Sequence, residues 1–278
     1  MVYEPTKTIE NRAFGYVVKD TSIVKKDNRT FGLINLPKFY IDFDDYSERN
    51  AATDVAKEVE RLKQAGAEGL ILDLRDNGGG SLKTVVEMAG LFIKDGPIVQ
   101  VKSSGQRKEI HEDKDERIQW DGPLVILVNE STASASEIVS GAVQDWDRGA
   151  IVGRRTFGKG LVQRPIPLTD GSKVRITTQR YYTPSGRCIQ LKDYSSRNAN
   201  GSAGIVADSL RESFKTKNGR VVKDGGGVMP DVVVEKEGHS AFVKQVMKEN
   251  LFFDFANLYR NKNGRNHKGK YKYAVLGH

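Results

Sequence analysis

The sequence predicts an α/β fold around a central sheet, on three observations. The short apolar runs GLILDLR (Gly69–Arg75), PLVILVN (Pro123–Asn129) and AIVG (Ala150–Gly153) read as buried strands. Other segments place apolar residues at three- and four-residue spacing, as amphipathic helices do. The two kinds of segment alternate along the chain.

In order, TFGLINLPKFYI (Thr30–Ile41) is strand material. SERNAATDVAKEVERLKQAG is a helix, with Val55, Val59 and Leu62 on one face and Gly66 as its C-terminal stop. After the run Gly69–Arg75, three glycines break the strand, and Ser81–Lys94 returns to helical period. PIVQVKS is a strand, GQRKEIHEDKDER a charged loop or hairpin, and Pro123–Asn129 the second buried strand. STASASEIVSGAVQDW is a cap plus helix, and Ala150–Gly153 the third buried strand. From Gly160 to Pro184 two extended stretches flank Asp170-Gly171, a hairpin signal. Residues 192–227 are polar and rich in Gly, Asn and Ser, an expected insertion with one short helix near Ala207–Phe214. VMPDVVV (Val228–Val234) is a strand, and an amphipathic helix or helix pair follows.

Bulk composition narrows the function classes. The chain has 278 residues, enough for a sizeable core, and no apolar run long enough to span a membrane. No signal peptide is expected at MVYEPTKTIENR, which lacks an apolar stretch. The single cysteine, Cys188, excludes an internal disulfide and cannot build a zinc site alone. Of the net charge of +8, six positive charges lie between Leu258 and His278, where there is no acid. The rest is close to neutral, so a solvated basic tail is expected and no nucleic-acid partner.

The stretch GRRTFGKGLVQ (Gly153–Gln163) nearly spells a phosphate-binding loop. Such a loop needs a hydroxyl after its lysine and a helix after that. Gly160 stands in place of the hydroxyl residue, and Pro165 and Pro167 follow in an alternating, strand-like segment. No nucleotide is expected. Taken alone, Lys159 between Gly158 and Gly160 is a surface lysine in a turn.

Two other segments change that. NESTASASEIVSGA (Asn129–Ala142) follows a buried strand and opens a helix, where free backbone amides favour developing negative charge. A serine there can attack a carbonyl, although a Ser/Thr-rich cap alone would look the same. Of four histidines, His111 lies in the charged loop and His239, His267 and His278 in the last forty residues, so a Ser-His-Asp triad is poorly supported. A lysine base is the remaining choice. It must be neutral to act, and Lys159 has no acid within ten residues on either side. LDLRDNGGGSL (Leu72–Leu82) sets three glycines at the end of a buried strand, more than a turn needs. Close backbone approach, as in an oxyanion hole, is one use of them.

Together LILDLRDNGGGSL, ESTASASEIVSGAVQD, VGRRTFGKGLVQ, ITTQRYYTPSGRCIQ and GGGVMPDVVV, in that order, resemble the C-terminal processing peptidases, or tail-specific proteases. The resemblance covers roughly Thr30 to Val234. It implies a spiral α/β core related to the ClpP/crotonase type, with a polar insertion and a helical C-terminal tail. It implies a serine endopeptidase with Ser134 as nucleophile, Lys159 as general base and Gln163 orienting the lysine. The oxyanion hole is then the amide of Ala135 with that of Gly79 or Gly80. Thr132 stands where the family has its first serine and keeps the hydroxyl. No metal or other cofactor is implied; the partner is a protein or peptide substrate near a nonpolar C-terminus. A homo-oligomer is left open, and an exported, periplasmic or cell-envelope location is implied. The family usually carries a PDZ domain, which the roughly 25 residues before the core are too few to hold; either the sequence is truncated, with 1–25 the trailing linker of that domain, or the domain is absent. The expected organisation is a linker at 1–25, a peptidase core at 26–236 with the insertion at about 192–227, and a helical segment with a basic tail at 237–278. Two other classes stay open: a crotonase-like acyl-thioester enzyme, which needs neither serine nor lysine, and a catalytically silent binding protein on the same scaffold.

Overall fold

The computed structural model describes residues 2–7, 20–41, 50–114, 117–236, 238 and 240–263. The chain divides into two units, Met1–Glu235 and Lys236–His278.

The first unit opens with β1 (Val2–Lys7), β2 (Asp20–Lys26) and β3 (Arg29–Asn35). Helix α1 (Ala51–Gln64), β4 (Gly69–Asp73), α2 (Leu82–Gly90), β5 (Pro97–Ser103) and β6 (Glu109–Glu112) follow. Then come β7 (Leu124–Val128), α3 (Ala135–Asp145), β8 (Ala150–Gly153), β9 (Leu161–Pro167) and β10 (Lys173–Tyr182). The unit ends with β11 (Lys192–Arg197), β12 (Ala203–Ile205), β13 (Ser213–Lys215), β14 (Val221–Lys223) and β15 (Val232–Val233).

The main sheet has the order β1-β2-β3-β4-β7-β8-β15. From β3 to β15 every pairing is parallel, and β1-β2-β3 is antiparallel. A second, antiparallel sheet has the order β6-β5-β10-β9, which leaves β9 as an edge strand. Ile34, Leu70, Leu72, Ile126 and Ile151 of the main sheet are buried, as are Val55, Val59 and Leu62 of α1 and Val139 and Val143 of α3. This burial is what the short apolar runs and the helical spacing predict: α/β, with helices covering a parallel sheet. Helix α1 packs close on β3, because a side chain at Gly32 would come 2.6 Å from Leu62 Cδ1.

The local chemistry of the sequence sets the boundaries. Asn50 caps α1, its Oδ1 accepting from the amides of Ala52 (2.9 Å) and Thr53 (3.0 Å). Residues 47–49, expected in this helix, lie outside the described residues. Gly66 follows the last turn at φ +80°, the left-handed stop expected of it. Helix α2 ends at Gly90 rather than Lys94, because the amides of Leu91 and Phe92 turn tightly onto Met88 and Ala89 carbonyls.

Three segments differ from expectation. The described parts of residues 1–25, expected as linker, are strand and add two antiparallel strands to the main sheet. The short helix expected near Ala207–Phe214 is only a 3-10 turn at Asp208–Leu210, because residues 213–215 pair with β14 as a hairpin. The expected insertion is thus two hairpins, β11-β12 and β13-β14. Val228–Val234 is strand only at Val232–Val233, since Pro230 lacks an amide and Asp231 spends its carboxylate on Ile151 N and Gln144 Nε2.

The second unit holds α4 (Ala241–Lys248), capped by Ser240, and α5 (Leu251–Asn263). No helix among the described residues is long and apolar enough to cross a membrane. Residues 264–278, most of the basic tail, lie outside the described set.

Candidate active site

Three turns at the ends of parallel strands meet at one cleft. The first carries Ser134, at the N-terminus of α3, with φ +60° and ψ −118°. A serine in that conformation is strained by about 1–3 kcal/mol and needs its surroundings to hold it. The buried Thr132 hydroxyl accepts from Asn129 N (2.9 Å) and donates to Leu74 O (2.8 Å), tying the serine turn to the end of β4. Ala133 N and Ser136 Oγ both donate to Asn77 O, each at 3.0 Å. Thr132 and Ser136 are therefore structural hydroxyls, while Ser134 is half-buried and lines the cleft.

The second turn is the glycine run after β4. Asn77, fully buried, donates from Nδ2 to Leu36 O (2.7 Å) and accepts from Gly79 N (2.9 Å) at Oδ1. Gly79 and Gly80 have φ of +99° and +155°. A Cβ on Gly79 would lie 2.8 Å from Ser134 Cβ, and one on Gly80 would lie 2.0 Å from Phe39 O. Three glycines thus serve close packing of the two turns. Of the two glycine amides, that of Gly79 is committed to Asn77 and that of Gly80 bonds to no acceptor among the described residues. The amide of Ala135, first in α3, is uncommitted there too.

The third turn carries Lys159, between β8 and β9. Glu137, in the first turn of α3, holds it in place. Its fully buried carboxylate accepts from Ser134 N (2.9 Å) and Lys159 N (2.9 Å) on Oε2, and from Gly158 N (2.7 Å) and Thr156 Oγ1 (2.5 Å) on Oε1. Burial pushes its pKa up to about 7, against these four donors, which act to lower it. The Tyr181 hydroxyl, on β10, sits against the carbonyl oxygens of Ser134 (3.1 Å) and Lys159. One carboxylate and one phenol therefore fix the backbone at Ser134 to the backbone at Lys159.

The cleft, about 280 Å³, is lined by Gly80, Ser134, Ala135, Lys159, Gln163 and Tyr181, with Arg175 and apolar side chains completing it. The structure brings together five of the six residues predicted from sequence; Gly79 lies directly behind Ser134. Lys159 is half-buried, and its Nζ has no ion-pair partner among the described residues. Gln163 lies on β9 four residues on and is exposed at the cleft. His111, on β6, lies 3.6 Å from Glu109 and does not line the cleft; the other three histidines are outside the described residues. Glu137, Tyr181, Asn77 and Thr156 were not singled out from sequence. Only Glu137 left a signal, an acid three residues after a helix-capping serine.

The chain is similar to known proteins. The tail-specific protease of Haemophilus influenzae is 42% identical over 176 residues, 60% of this chain and 24% of that protein. The carboxyl-terminal-processing protease of Synechocystis is 42% identical over 145 residues, 52% of this chain and 34% of that protein. Among solved structures, the photosystem II D1 C-terminal processing protease matches with a TM-score of 0.52 and 31% identity, covering 74% of this chain and 42% of that one. The chain thus spans between about a quarter and two-fifths of the length of these relatives. The peptidase family S41 matches residues 30–196, which takes in all three turns and the whole of β9 and β10, and the chain belongs to that family.

Proposed function

We propose that this chain is the catalytic part of a serine endopeptidase that works through Ser134 and Lys159. Ser134 Oγ attacks the scissile carbonyl carbon, and neutral Lys159 takes the serine proton. Negative charge develops on the former carbonyl oxygen, which the amides of Ala135 and Gly80 bind; Gly80 is preferred over Gly79, whose amide is already spent on Asn77. Lys159 then gives the proton to the leaving amine as the peptide bond breaks, leaving an acyl-enzyme. Water, deprotonated by Lys159, releases the new carboxylate and restores the serine. Gln163, on β9 and lining the same cleft, orients Lys159.

The observation that carries this proposal is the convergence of a strained Ser134, two uncommitted amides and an unpaired lysine in one cleft. A crotonase-like acyl-thioester enzyme would use the amides but has no need of a serine held at positive φ beside a lysine. The substrate is proposed to be a polypeptide cut near its C-terminus, by analogy with the tail-specific and C-terminal processing relatives, and the family resemblance adds that this terminus is nonpolar. Export to the periplasm or cell envelope is proposed on the family resemblance alone.

The test is digestion of an unfolded protein, with products mapped by mass spectrometry. Wild type should give discrete products, and Lys159→Ala should lower the rate at least about a thousandfold with an unchanged circular-dichroism spectrum. Undiminished cleavage by Lys159→Ala would sink the proposed base.

A further inference from the structure

Beside the catalytic cleft lies a larger one of about 690 Å³, over the face of the β5-β10-β9 sheet. The two share Leu161 and Gln163, so they adjoin at β9. Three strands meet side by side on the floor of the larger one: Lys102 of β5 is directly opposite Arg180 of β10, which is directly opposite Leu161 of β9. Side chains of directly opposed residues lie on the same face of a sheet, so two cations stand together, an arrangement that costs stability. Tyr182, two residues on from Arg180, shares the face, and Lys108 Nζ sits 4.2 Å from its ring centre as a third cation. Among the described residues no carboxylate lines either cleft. Lys102 and Arg180 have no ion-pair partner among the described residues. The one acid between Leu161 and Tyr182, Asp170, is at the hairpin tip, bonded to Ser172.

We infer that Lys102 and Arg180 form a substrate subsite that takes a carboxylate of the bound polypeptide, about three residues of extended chain from the scissile bond. This rests on the peptidase proposal above and adds to it a preference for acidic side chains near the cut. The distance follows from the strands. Lys159 precedes Leu161 by two residues, at most about 7 Å of chain, and Arg180, opposite Leu161, is one strand spacing, about 5 Å, to the side. A carboxylate placed between the opposed cations relieves their repulsion and gains a charge-assisted hydrogen bond. An extended polypeptide suits the adjoining clefts, because β9 is an edge strand and offers backbone groups up to Pro165.

The experiment uses quenched-fluorescence peptides built on a mapped cut site. Pairs carry Glu or Gln three residues from the cut, on one side or the other, and kcat/KM is measured with the full chain. Wild type should favour Glu about fivefold on one side, the size of one good exposed charge pair. The Glu/Gln ratio should fall to about one in Arg180→Gln, and Arg180→Glu should turn the preference toward a Lys peptide. A wild-type ratio near one on both sides, with cleavage still abolished by Ser134→Ala, overturns the subsite and leaves the peptidase proposal standing. Absence of any Ser134-dependent cleavage overturns the peptidase proposal itself, and the subsite with it. Stronger inhibition of the Glu peptide by a single-stranded oligonucleotide than by an unlabelled acidic peptide would assign the cations to nucleic acid and also overturn the subsite.

Discussion

Ser136 and Ser134 are two residues apart and chemically identical, yet their surroundings divide their roles. Ser136 is fully buried and donates to Asn77 O, whereas Ser134 lines the cleft. Ser136→Ala should cost about 1 kcal/mol in urea unfolding and keep activity within a few fold of wild type. Glu137 predicts a pH effect. Its carboxyl titrates near 7 when folded, against an ordinary value of 4.5. Between those values the unfolded chain has released the proton and the folded chain still holds it, so stability falls as pH rises. The loss from this group is about 3 kcal/mol across the window. Urea unfolding at pH 5 and pH 8 should show that loss in wild type and not in Glu137→Gln. The Gln variant should also be less stable at pH 5, since its amide hydrogens face a ring of donors. At this scale Ser134 and Lys159 were legible because each stands in a distinctive local spelling. Glu137 was legible only as a capping acid three residues after Ser134, because its Gly158 and Lys159 partners lie about twenty residues away, and Tyr181 was not legible, with its Ser134 partner nearly fifty residues away.

At the scale of elements, the turns matter more than the strands they end. Gly80 has φ +155° and faces Phe39 O, so Gly80→Ala should lose more than about 3 kcal/mol or displace the turn, and activity with it. Gly78 is a control two residues away: its φ is not positive and nothing lies within 4 Å of an added Cβ. Gly78→Ala should be neutral in thermal unfolding and in cleavage. The buried runs at Gly69–Asp73 and Leu124–Val128 were legible because a parallel strand is apolar on both faces. The hairpins of residues 192–227 were less so, because exposed polar segments take their pairing from partners across the fold rather than from periodicity.

Over the whole first unit, the hairpins after β10 are tied to α3 by Arg187 and Asp145, both about 1% exposed. Arg187 Nη2 donates to Asp145 Oδ1 (2.8 Å) and Gln144 Oε1 (2.8 Å), and Ser185 N donates to Asp145 Oδ2 (3.0 Å). Arg187→Ala would leave Asp145 buried and unpaired, and should cost about 3–5 kcal/mol in urea unfolding. A loss under 1 kcal/mol would mean the tie does not bind these segments. No local sequence pattern announced this pair, since its members are 42 residues apart and in different elements. What was legible across the chain was the order of the motifs, which the parallel sheet then gathers at its strand ends. The central claim is that Ser134, and no other hydroxyl of that segment, is the nucleophile. It is tested most directly by digesting an unfolded protein with wild type, Ser134→Ala and Ser136→Ala side by side. The expected result is identical product maps for wild type and Ser136→Ala, with no products from a folded Ser134→Ala. Residual cleavage at the same bonds by Ser134→Ala, or a Ser136→Ala that is folded and equally inactive, would contradict it.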